Sequence, residues 1–343
     1  MLQIGLIGCA HIHTPGFINM LSKRNDVKVK LVWDPDRRRS EKRAQELSAT
    51  VVDSAEAILS DDQVTGVVIC SETNRHEVLA HAAAKAKKHM FVEKPLGMGS
   101  RDGYSMAHAI QDAGVLFQTG YFQRSDPKNR FLKEQIAKGN FGKITRVRGS
   151  NVHNGALGNW FASRPNDVPN DWRWMADPKI AGVGAFGDLG THALDILLWW
   201  MGDVKLATAQ VDVVTNTYDG TDESGEGLMR FKNGTVGTLA AGWADLANPV
   251  TYLISGTEGH AVVINNQLHL TSKKDARFDG SQPVRNNEMP APAPHAFELF
   301  LDALVGKDLP IPLVSAREAA YRSAVMEAMY EGAANGTWVA PKN

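Results

Sequence analysis

The sequence predicts an α/β fold class, with a doubly wound parallel sheet followed by an α+β domain that contains an antiparallel sheet. Three observations support this prediction. Apolar runs alternate with helix-favouring segments over about the first 120 residues, a pattern typical of a parallel sheet covered on both faces. After that point, β-rich runs separated by turns replace the alternation. The length of 343 residues exceeds the roughly 100–200 residues of one typical domain.

The composition excludes several classes of protein. The chain has 37 Lys and Arg against 38 Asp and Glu, a formal charge of −1, so net charge does not favour nucleic acid or an anionic membrane as a partner. The apolar fraction of 43% against 22% charged residues is that of a globular chain. No run reaches the ~18–20 apolar residues of a membrane span, and we find no secretion signal. We therefore expect a cytoplasmic protein.

Local signals define the elements of the first half. Short apolar runs predict strands at residues 2–7, 27–33, 66–70, 89–92 and 115–118. Intervening segments favour helices at residues 36–48, 75–88 and 100–113. An earlier helix begins at Thr14 and Pro15, because threonine caps helix N-termini and proline is tolerated in the first turn. Asp34-Pro35 ends the second strand, and Ser100 begins the helix that precedes the last strand.

The second half is organised differently. Asn233-Gly234 lies between two β-rich runs and is a strong hairpin signal. We assign residues 1–122 and 123–343 to two domains, and we expect the last helix to pack back on the first domain. The predicted elements are a helix at 128–138, a strand at 144–153, an irregular stretch at 154–187, a helix at 188–201, strands between 203 and 271, a loop at 273–294, and helices at 295–305 and 315–334.

The first strand–helix loop is a candidate phosphate-binding loop. Ligands of doubly wound sheets bind outside the carboxyl ends of the strands. The loop reads G-C-A-H-I-H over residues 8–13. On the pattern G-x-G-x-x-G, Gly8 fits, Ala10 replaces the second glycine and His13 replaces the third. The helix N-terminus still offers N–H groups and a positive dipole end to a pyrophosphate. The alternative interpretation of this weak motif is an ordinary turn.

Asp34 strengthens the prediction of a dinucleotide site. It ends the second strand about 20 residues beyond the loop, where a carboxylate accepts hydrogen bonds from the adenosine ribose. A carboxylate there repels a 2′-phosphate, which favours NAD over NADP. The next helix begins with Arg37, Arg38 and Arg39. Their positive charges suit a 2′-phosphate and would favour NADP. We give Asp34 more weight, because long arginine side chains lose conformational entropy when they are ordered.

His11 and His13 form an H-x-H pair, which raises the alternative of a zinc site. Zinc requires further ligands at suitable spacing, and the neighbouring sequence supplies none. We therefore expect no metal. Cys9 and Cys70 follow strands that are neighbours in a sheet of order 3-2-1-4-5-6. We expect them to be small buried residues beneath the cofactor, since a disulfide is unusual in a reducing compartment.

Three further motifs carry a resemblance to a known family. They are S-E-T-N-R-H at residues 71–76, E-K-P at 93–95 and A-G-V-G-A-F-G-D-L-G-T-H-A-L-D at 181–195. In this order and spacing, they resemble the glucose–fructose oxidoreductase and inositol dehydrogenase family, written Gfo/Idh/MocA. The likeness runs over essentially the whole chain. E-K-P is common alone, but E-K-P between a strand and a helix, with D-x-G-x-H-x-x-D about 95 residues later, is quite specific.

The resemblance implies a Rossmann domain and a C-terminal α+β domain with a large open, mainly antiparallel sheet. It implies an NAD(P)-dependent oxidoreductase that transfers a hydride between a nicotinamide and a sugar, cyclitol or related polyol. The resemblance, the loop after the first strand and Asp34 together predict the cofactor-binding residues. These are Gly8, Cys9, Ala10, His11, Ile12, Asp34, Ser71, Thr73, Asn74, His76, Glu93, Lys94 and Gln123.

The resemblance also implies that Lys94, Asp188 and His192 meet beside the nicotinamide. Oxidation of an alcohol moves a hydride to the nicotinamide while a base takes the hydroxyl proton. Asp188 and His192 are four residues apart and share a helix face. If this helix begins at Asp188, as the sequence predicts, both side chains lie in its first turns. A helix N-terminus favours a carboxylate and disfavours a protonated imidazole. Lys94 donates a hydrogen bond to the reacting oxygen, and either Lys94 or His192 is the proton acceptor.

Further residues are candidates for substrate binding. Besides the catalytic three, they are Tyr121 in the segment that crosses between the domains, His153 at a strand end, and Arg173 in a W-R pair. Trp160, Trp172 and Trp174 have aromatic faces suited to sugar rings, although such tryptophans more often belong to a core or an interface.

The sequence alone leaves two other functions open. Some relatives are hydrolases or lyases that oxidise a sugar transiently around an elimination, and one type is a ligand sensor without catalysis. The complete set of proton-transfer residues argues against the sensor. We also expect a homodimer or homotetramer, because helices cover only one face of the C-terminal sheet and residues 203–271 are rich in Val, Leu, Ala and Thr.

Overall fold

The computed structural model describes residues 1–163 and 172–342. The chain divides into two compact units, and neither is continuous in sequence. The first unit contains residues 1–121, 160–182 and 294–323, and the second contains residues 122–159, 183–293 and 324–343. Segments from the second half of the chain therefore complete the N-terminal unit.

The described residues form thirteen strands and eleven α-helices. The strands are β1 (Leu2–Ile7), β2 (Val27–Trp33), β3 (Thr50–Val51), β4 (Val64–Ile69), β5 (His89–Val92), β6 (Phe117–Thr119), β7 (Ile144–Val152), β8 (Val204–Asp212), β9 (Ser224–Phe231), β10 (Val236–Gly242), β11 (Val250–Gly256), β12 (Gly259–Ile264) and β13 (Gln267–Ser272). The helices are α1 (Thr14–Leu21), α2 (Arg37–Leu47), α3 (Ala55–Leu59), α4 (His76–Lys85), α5 (Ser100–Ala113), α6 (Pro127–Ala137), α7 (Trp160–Ser163), α8 (Pro178–Ala181), α9 (Ala185–Met201), α10 (Ala296–Leu304) and α11 (Ala316–Asn335).

The first unit contains the parallel sheet that the alternating pattern predicts. Its six strands have the order β3-β2-β1-β4-β5-β6, and every pair is parallel. Ile7 pairs with both Trp33 and Ile69, so the loops after β1, β2 and β4 leave the sheet at one edge. This edge is the place where doubly wound sheets bind ligands.

Helices bury both faces of this sheet. On one face, Phe17 of α1 stacks on Phe297 of α10 with ring centroids 4.5 Å apart. Phe91 of β5 meets Phe297 edge-on at 5.1 Å, and all three side chains are almost fully buried. Helix α10 lies more than 200 residues after β5 in the chain, so a distant segment closes this core.

Residues 49–63 carry no predicted element, and the structure places the two-residue strand β3 and the short helix α3 there. Ser54 caps α3, because its side chain accepts a hydrogen bond from the Ala57 N–H at 3.2 Å. Serine is a preferred cap residue, so this signal was available in the sequence. The strand is too short for a periodic pattern.

The second unit is built on a seven-stranded sheet of order β13-β12-β11-β7-β10-β9-β8. Only β7 and β10 pair in parallel; the other neighbours are antiparallel. The mainly antiparallel sheet is therefore confirmed. Gly234, at φ +91°, lies in the turn between β9 and β10, as the Asn-Gly signal predicts.

Helix α9 packs on the central strands β7, β9 and β10. Residues alternate along these strands between the buried face and the other face. On β7, Val147 and Gly149 are buried, whereas Arg146 and Arg148 are exposed. Along the neighbouring strands, Leu228 and Val236 are exposed apolar residues. The sheet thus has one face under α9 and one mixed polar and apolar face.

Most remaining expectations for the second half are met, with small shifts at the element ends. The irregular stretch at 154–187 contains the short helices α7 and α8, and α9 enters it at Ala185. Residues 164–171 of this stretch lie outside the described residues. In the parts of the chain before and after that gap, no helix has both the length and the apolar character of a membrane span.

Candidate active site

The loop after β1 is fixed by the neighbouring strands. The Gly8 N–H donates to the Trp33 carbonyl at 2.7 Å, and the His11 N–H donates to the Cys70 carbonyl at 3.0 Å. Gly8 has φ +79°, and a Cβ at this position would lie 2.6 Å from the Cα of Ser71. Only glycine fits such an approach between the two loops.

Two N–H groups of this loop suit an anionic ligand. Among the described residues, the backbone N–H groups of Ala10 and Ile12 donate to no acceptor, although Ala10 is fully buried. Buried N–H groups without an acceptor are rare. They precede α1, whose N-terminus adds a partial positive charge. The loop therefore fits the pyrophosphate of a dinucleotide, even though Ala10 replaces a glycine.

His13 replaces the third glycine without disrupting the loop, because its ring points to a buried acid. Its Nδ1 lies 3.1 Å from Glu93 Oε1, and the ring is about one-third exposed. His11 Nε2 lies 3.8 Å from Glu93 Oε2. Burial alone would raise the pKa of Glu93, but the facing rings of His11 and His13 outweigh burial and hold this pKa well below its usual range.

The structure corrects one step of the argument about a metal. The sequence near the H-x-H pair contains no third ligand, but folding brings Glu93 there, and the three candidate ligand atoms lie within 4.8 Å of one another. The His13 N–H donates to His11 Nδ1 at 3.2 Å, so a neutral His11 carries its proton on Nε2. The Nε2–H group faces Glu93 and has no lone pair for a cation. This tautomer favours a proton-sharing cluster over a metal centre.

Asp34 lies at the end of β2, at the position predicted for the ribose-binding acid. Its carboxylate accepts from the Cys9 N–H at 2.6 Å and from the Asp36 N–H at 2.7 Å. Arg39 Nε lies 3.1 Å from Oδ1. Burial raises the pKa of Asp34, and Arg39 partly offsets this effect. Each carboxylate oxygen has two acceptor sites, so the group retains capacity for a ribose hydroxyl.

The three arginines that opposed Asp34 in the sequence analysis have carboxylate partners. Arg37 contacts Glu41 and Asp53, each at 2.9 Å. Arg38 contacts Asp36 at 2.5 Å. A guanidinium already paired in this way must exchange partners before it binds a phosphate.

The residues of the 71–76 motif have different environments. Ser71 and Thr73 are buried, whereas Asn74 is exposed. The fully buried ring of His76 lies within hydrogen-bond distance of the carbonyls of Ser71 and Leu96, at 3.3 and 3.1 Å. Burial lowers the pKa of His76. This ring connects the loops that follow β4 and β5. It thereby fixes their positions at the edge of the sheet where the cofactor is expected to bind.

Lys94 follows β5 at this same edge of the parallel sheet and is 2% exposed. Its N–H donates to Glu93 Oε2 at 2.7 Å, which links the lysine backbone to the cluster of Glu93 and the two histidines. Tyr121, which ends the first continuous segment of this unit, is also buried. Cys9 and Cys70 are buried free thiols, and burial raises the pKa of both well above the usual range.

Trp174 contacts the loop that follows β1. Its indole N–H donates to the Ala10 carbonyl at 3.1 Å, and its ring centroid lies 6.0 Å from that of His11. Its polar edge thus supports the loop. Arg173 is exposed, and Trp172 and Trp160 are half-buried.

In the second unit, the helix that carries Asp188 and His192 begins at Ala185, three residues before the expected start. Asp222 and Tyr330 bind its first N–H groups. Asp222 accepts from the Phe186 N–H at 2.8 Å, and the Tyr330 hydroxyl accepts from the Gly187 N–H at 2.9 Å. The same hydroxyl donates to Asp222 at 3.1 Å. These partners come from distant segments, so local sequence could not show where the helix begins.

The earlier start corrects the electrostatic argument for His192. Asp188 is in the first turn of α9, where a carboxylate is favoured, but His192 is the eighth residue of the helix. The dipole effect falls off within the first turn, so the helix N-terminus does not keep His192 neutral. Both side chains are buried, at 8% and 4% exposure, and the His192 ring packs against Phe122 with centroids 5.0 Å apart.

Two contacts around this helix were not predicted from the sequence. Trp243, just after β10, donates its indole N–H to Asp188 Oδ2 at 3.2 Å. Arg124 forms a buried two-point ion pair with Asp195, at 2.8 and 2.6 Å. Neither contact had a local signal, because the partners are 55 and 71 residues apart.

Gln123 and His153, which the sequence analysis predicted for the cofactor and the substrate, are held by neighbours in the second unit. The Tyr252 hydroxyl donates to the Gln123 side-chain oxygen. His153 Nδ1 accepts from the Gly155 N–H at 2.9 Å, so a neutral His153 carries its proton on Nε2. Such a donor suits a hydroxyl or carbonyl oxygen.

Comparison with protein families gives two matches that together span most of the chain. A model described as the oxidoreductase family with an NAD-binding Rossmann fold, GFO_IDH_MocA, matches residues 2–121. A model of the GFO/IDH/MocA C-terminal domain matches residues 129–262.

Two curated relatives with similar sequences are named dehydrogenases. Myo-inositol 2-dehydrogenase of Thermotoga maritima is 30% identical over 245 residues, which cover 69% of this chain and 67% of that protein. Levoglucosan dehydrogenase of Pseudarthrobacter phenanthrenivorans is 30% identical over 235 residues, which cover 60% of this chain and 57% of that protein. A solved structure of levoglucosan dehydrogenase with NADH and levoglucosan matches over 100% of both chains, with a TM-score of 0.79 and 23% identity. This last likeness shows a shared fold.

Proposed function

The chain belongs to the GFO/IDH/MocA family of NAD-binding oxidoreductases, and on that premise we propose that it transfers a hydride between NAD and a sugar, cyclitol or related polyol. Asp188 and His192 carry this proposal. They are buried proton-transfer side chains one turn apart on α9, and they occupy the positions that the family motif assigns to catalysis.

The loop after β1 supports the cofactor assignment. The free N–H groups of Ala10 and Ile12 suit the pyrophosphate, and Asp34 suits the ribose. Bound NAD would supply the hydride acceptor when an alcohol is oxidised. Asp34 favours NAD over NADP, and we expect at least about a tenfold preference, equal to roughly 1.4 kcal/mol.

The proposed catalytic residues have complementary roles. Lys94 donates a hydrogen bond to the reacting oxygen and stabilises its developing charge. The proton of the hydroxyl passes to His192 when Lys94 is a protonated ammonium, or to Lys94 when its amine is neutral. The buried carboxylate of Asp188, which accepts from Trp243, helps to orient the groups around it. We propose that these residues meet in the cofactor-bound enzyme, as the family resemblance implies, with Tyr121, His153 and Arg173 nearer the substrate.

The names of the relatives narrow the substrate class. One relative is named for levoglucosan, an anhydrosugar, and another for myo-inositol, a cyclitol. Cyclic compounds with several adjacent hydroxyls are therefore the substrates to test first. These relatives are dehydrogenases, and they do not favour the alternative of a hydrolase, a lyase or a sensor.

The test is a substrate panel. The purified protein is incubated with NAD and with cyclic sugars, anhydrosugars and inositols, and the absorbance of reduced nicotinamide is followed. The corresponding ketones are tested with NADH. We expect turnover with at least one compound. If no compound in either direction reacts with NAD or NADP, the proposal is wrong.

We also propose assembly and location. The second face of the C-terminal sheet carries exposed Leu228 and Val236 beside charged Arg146 and Arg148, which supports a homodimer or homotetramer formed through this face. A monomer mass at micromolar concentration would contradict this. Use of NAD, which other cytoplasmic enzymes recycle, supports a cytoplasmic location, testable by cell fractionation.

A further inference from the structure

Arg39 differs from its two arginine neighbours on α2. The side chains of Arg37 and Arg38 are 57% and 68% exposed, whereas that of Arg39 is 13% exposed. Arg39 Nε contacts Asp34 Oδ1, the acid predicted to bind the ribose, at 3.1 Å. Of these three arginines, Arg39 is therefore the one placed beside the site where a 2′-phosphate would lie.

A second acid, Glu72, holds the other side of this guanidinium. Glu72 Oε1 accepts from Arg39 Nη2 at 3.1 Å. The side chain of Glu72 is 12% exposed, and its other oxygen lies 3.2 Å from Arg75 Nε. Glu72 comes from the loop after β4, so Arg39 connects this loop with the end of β2. A charge-assisted hydrogen bond to Glu72 and an ion pair with Asp34 together restrict the orientation of the guanidinium.

We propose that Glu72 is a specificity-determining residue that enforces the preference for NAD by holding Arg39. Asp34 repels a 2′-phosphate directly, but a mobile arginine nearby would offset that repulsion. Glu72 removes this possibility because it occupies the guanidinium of Arg39. This inference deepens the proposed function, because it rests on NAD binding at the β1 loop.

The experiment measures dissociation constants of NADH and NADPH by calorimetry, without a substrate. For Glu72→Gln, a substitution of nearly equal shape, we expect NADPH to bind about tenfold more tightly, equal to roughly 1.4 kcal/mol. NADH binding should change by less than about threefold, because the ribose acid and the loop are intact. NADH binding also shows that the variant is folded.

Two further variants separate release of Arg39 from a general change of charge. Glu41→Gln makes the same change of charge on α2 and affects the exposed pair with Arg37, so its NADPH affinity should equal that of the wild type. In Glu72→Gln combined with Arg39→Ala, the gain in NADPH affinity should disappear, because the released arginine is absent.

Three results would overturn the inference. An unchanged NADPH to NADH ratio in Glu72→Gln shows that Glu72 does not determine specificity. A gain that persists without Arg39, or that also occurs in Glu41→Gln, shows a general effect of charge. If the wild type binds neither cofactor, the proposed function itself fails, and this inference fails with it.

Discussion

Trp243 donates its indole N–H to the carboxylate of Asp188 across 3.2 Å, inside the second unit. Trp243 is fully buried directly after β10, and Asp188 lies in the first turn of α9. This hydrogen bond thus ties one of the proposed catalytic side chains to the sheet. A buried acid with a fixed donor has one preferred rotamer, which matters where small displacements change a rate.

Trp243→Phe should lower kcat by about tenfold or more, because Asp188 loses the donor that orients it. Trp200→Phe is the matched control, since it removes another buried indole hydrogen bond of the same length in this unit, to the Asn129 carbonyl at 3.2 Å. Steady-state kinetics with the substrate found in the panel measures both. Equal losses in the two variants would show a general packing effect.

His192→Ala should lower the rate of alcohol oxidation by about 10²–10⁴-fold, the usual contribution of a proton-transfer group. In the wild type, oxidation should become faster as pH rises through the titration of the base, because only the unprotonated form accepts a proton. The measurement is a pH–rate profile from about pH 5 to 9, around the usual titration range of histidine. A flat wild-type profile, with the chemical step shown to limit the rate, would exclude His192 as the base.

Glu93→Gln should lower the thermal stability at neutral pH. The pKa of Glu93 in the folded protein is held well below its ordinary value of 4.5, so the ionised carboxylate stabilises the fold above about pH 4.5 and this contribution is lost as pH falls below it. Replacing charged by neutral hydrogen bonds to His13 and the Lys94 N–H should cost about 1–2 kcal/mol.

The pH dependence provides the check on Glu93. Differential scanning calorimetry should show a Tm difference between the wild type and Glu93→Gln at pH 7 that narrows below about pH 4.5. Glu134→Gln, an exposed position on α6, makes the same change of charge and should match the wild type throughout. A Tm difference that is constant with pH would show that the ionised state of Glu93 contributes nothing.

Tyr330→Phe should lower the free energy of unfolding by about 1–3 kcal/mol, because the first N–H groups of α9 lose a buried acceptor. The hydroxyl accepts from Gly184 at 3.2 Å and Gly187 at 2.9 Å. Tyr218→Phe removes a hydroxyl that donates to the carbonyl of Gly155, a residue outside the helices, so no helix start depends on this contact and the variant should cost less. Urea unfolding measures both, and a cost for Tyr330→Phe no greater than that for Tyr218→Phe would contradict the capping role.

The sequence predicted those parts of the fold that depend on local pattern. The bounds of β1, β2, β5 and α5 were predicted to the residue, because the three apolar runs end before a glycine or an acidic residue and α5 ends before Gly114, which has φ +65°. The start of α9 was placed three residues late, since its capping partners Asp222 and Tyr330 are distant in sequence. The two-residue strand β3 carried no periodic signal.

The residues of the candidate site also divide into those with a local sequence signal and those without one. Gly8 and Asp34 were predicted because their roles follow from a loop pattern and a spacing. The contacts of Glu93 with His11 and His13, and of Arg39 with Glu72, depend on which strands become neighbours. Single residues in such contacts have no local signature, so only the folded chain identifies them.

The most direct test of the central claim is a comparison of the wild type with Lys94→Ala on a polyol that the wild type oxidises. The rate of NADH formation is measured by absorbance, and binding of NADH is measured separately by calorimetry. We expect Lys94→Ala to bind NADH with an affinity close to that of the wild type and to form NADH about 10²–10⁴-fold more slowly. Near-normal turnover by Lys94→Ala would show that Lys94 has no part in the proton transfer.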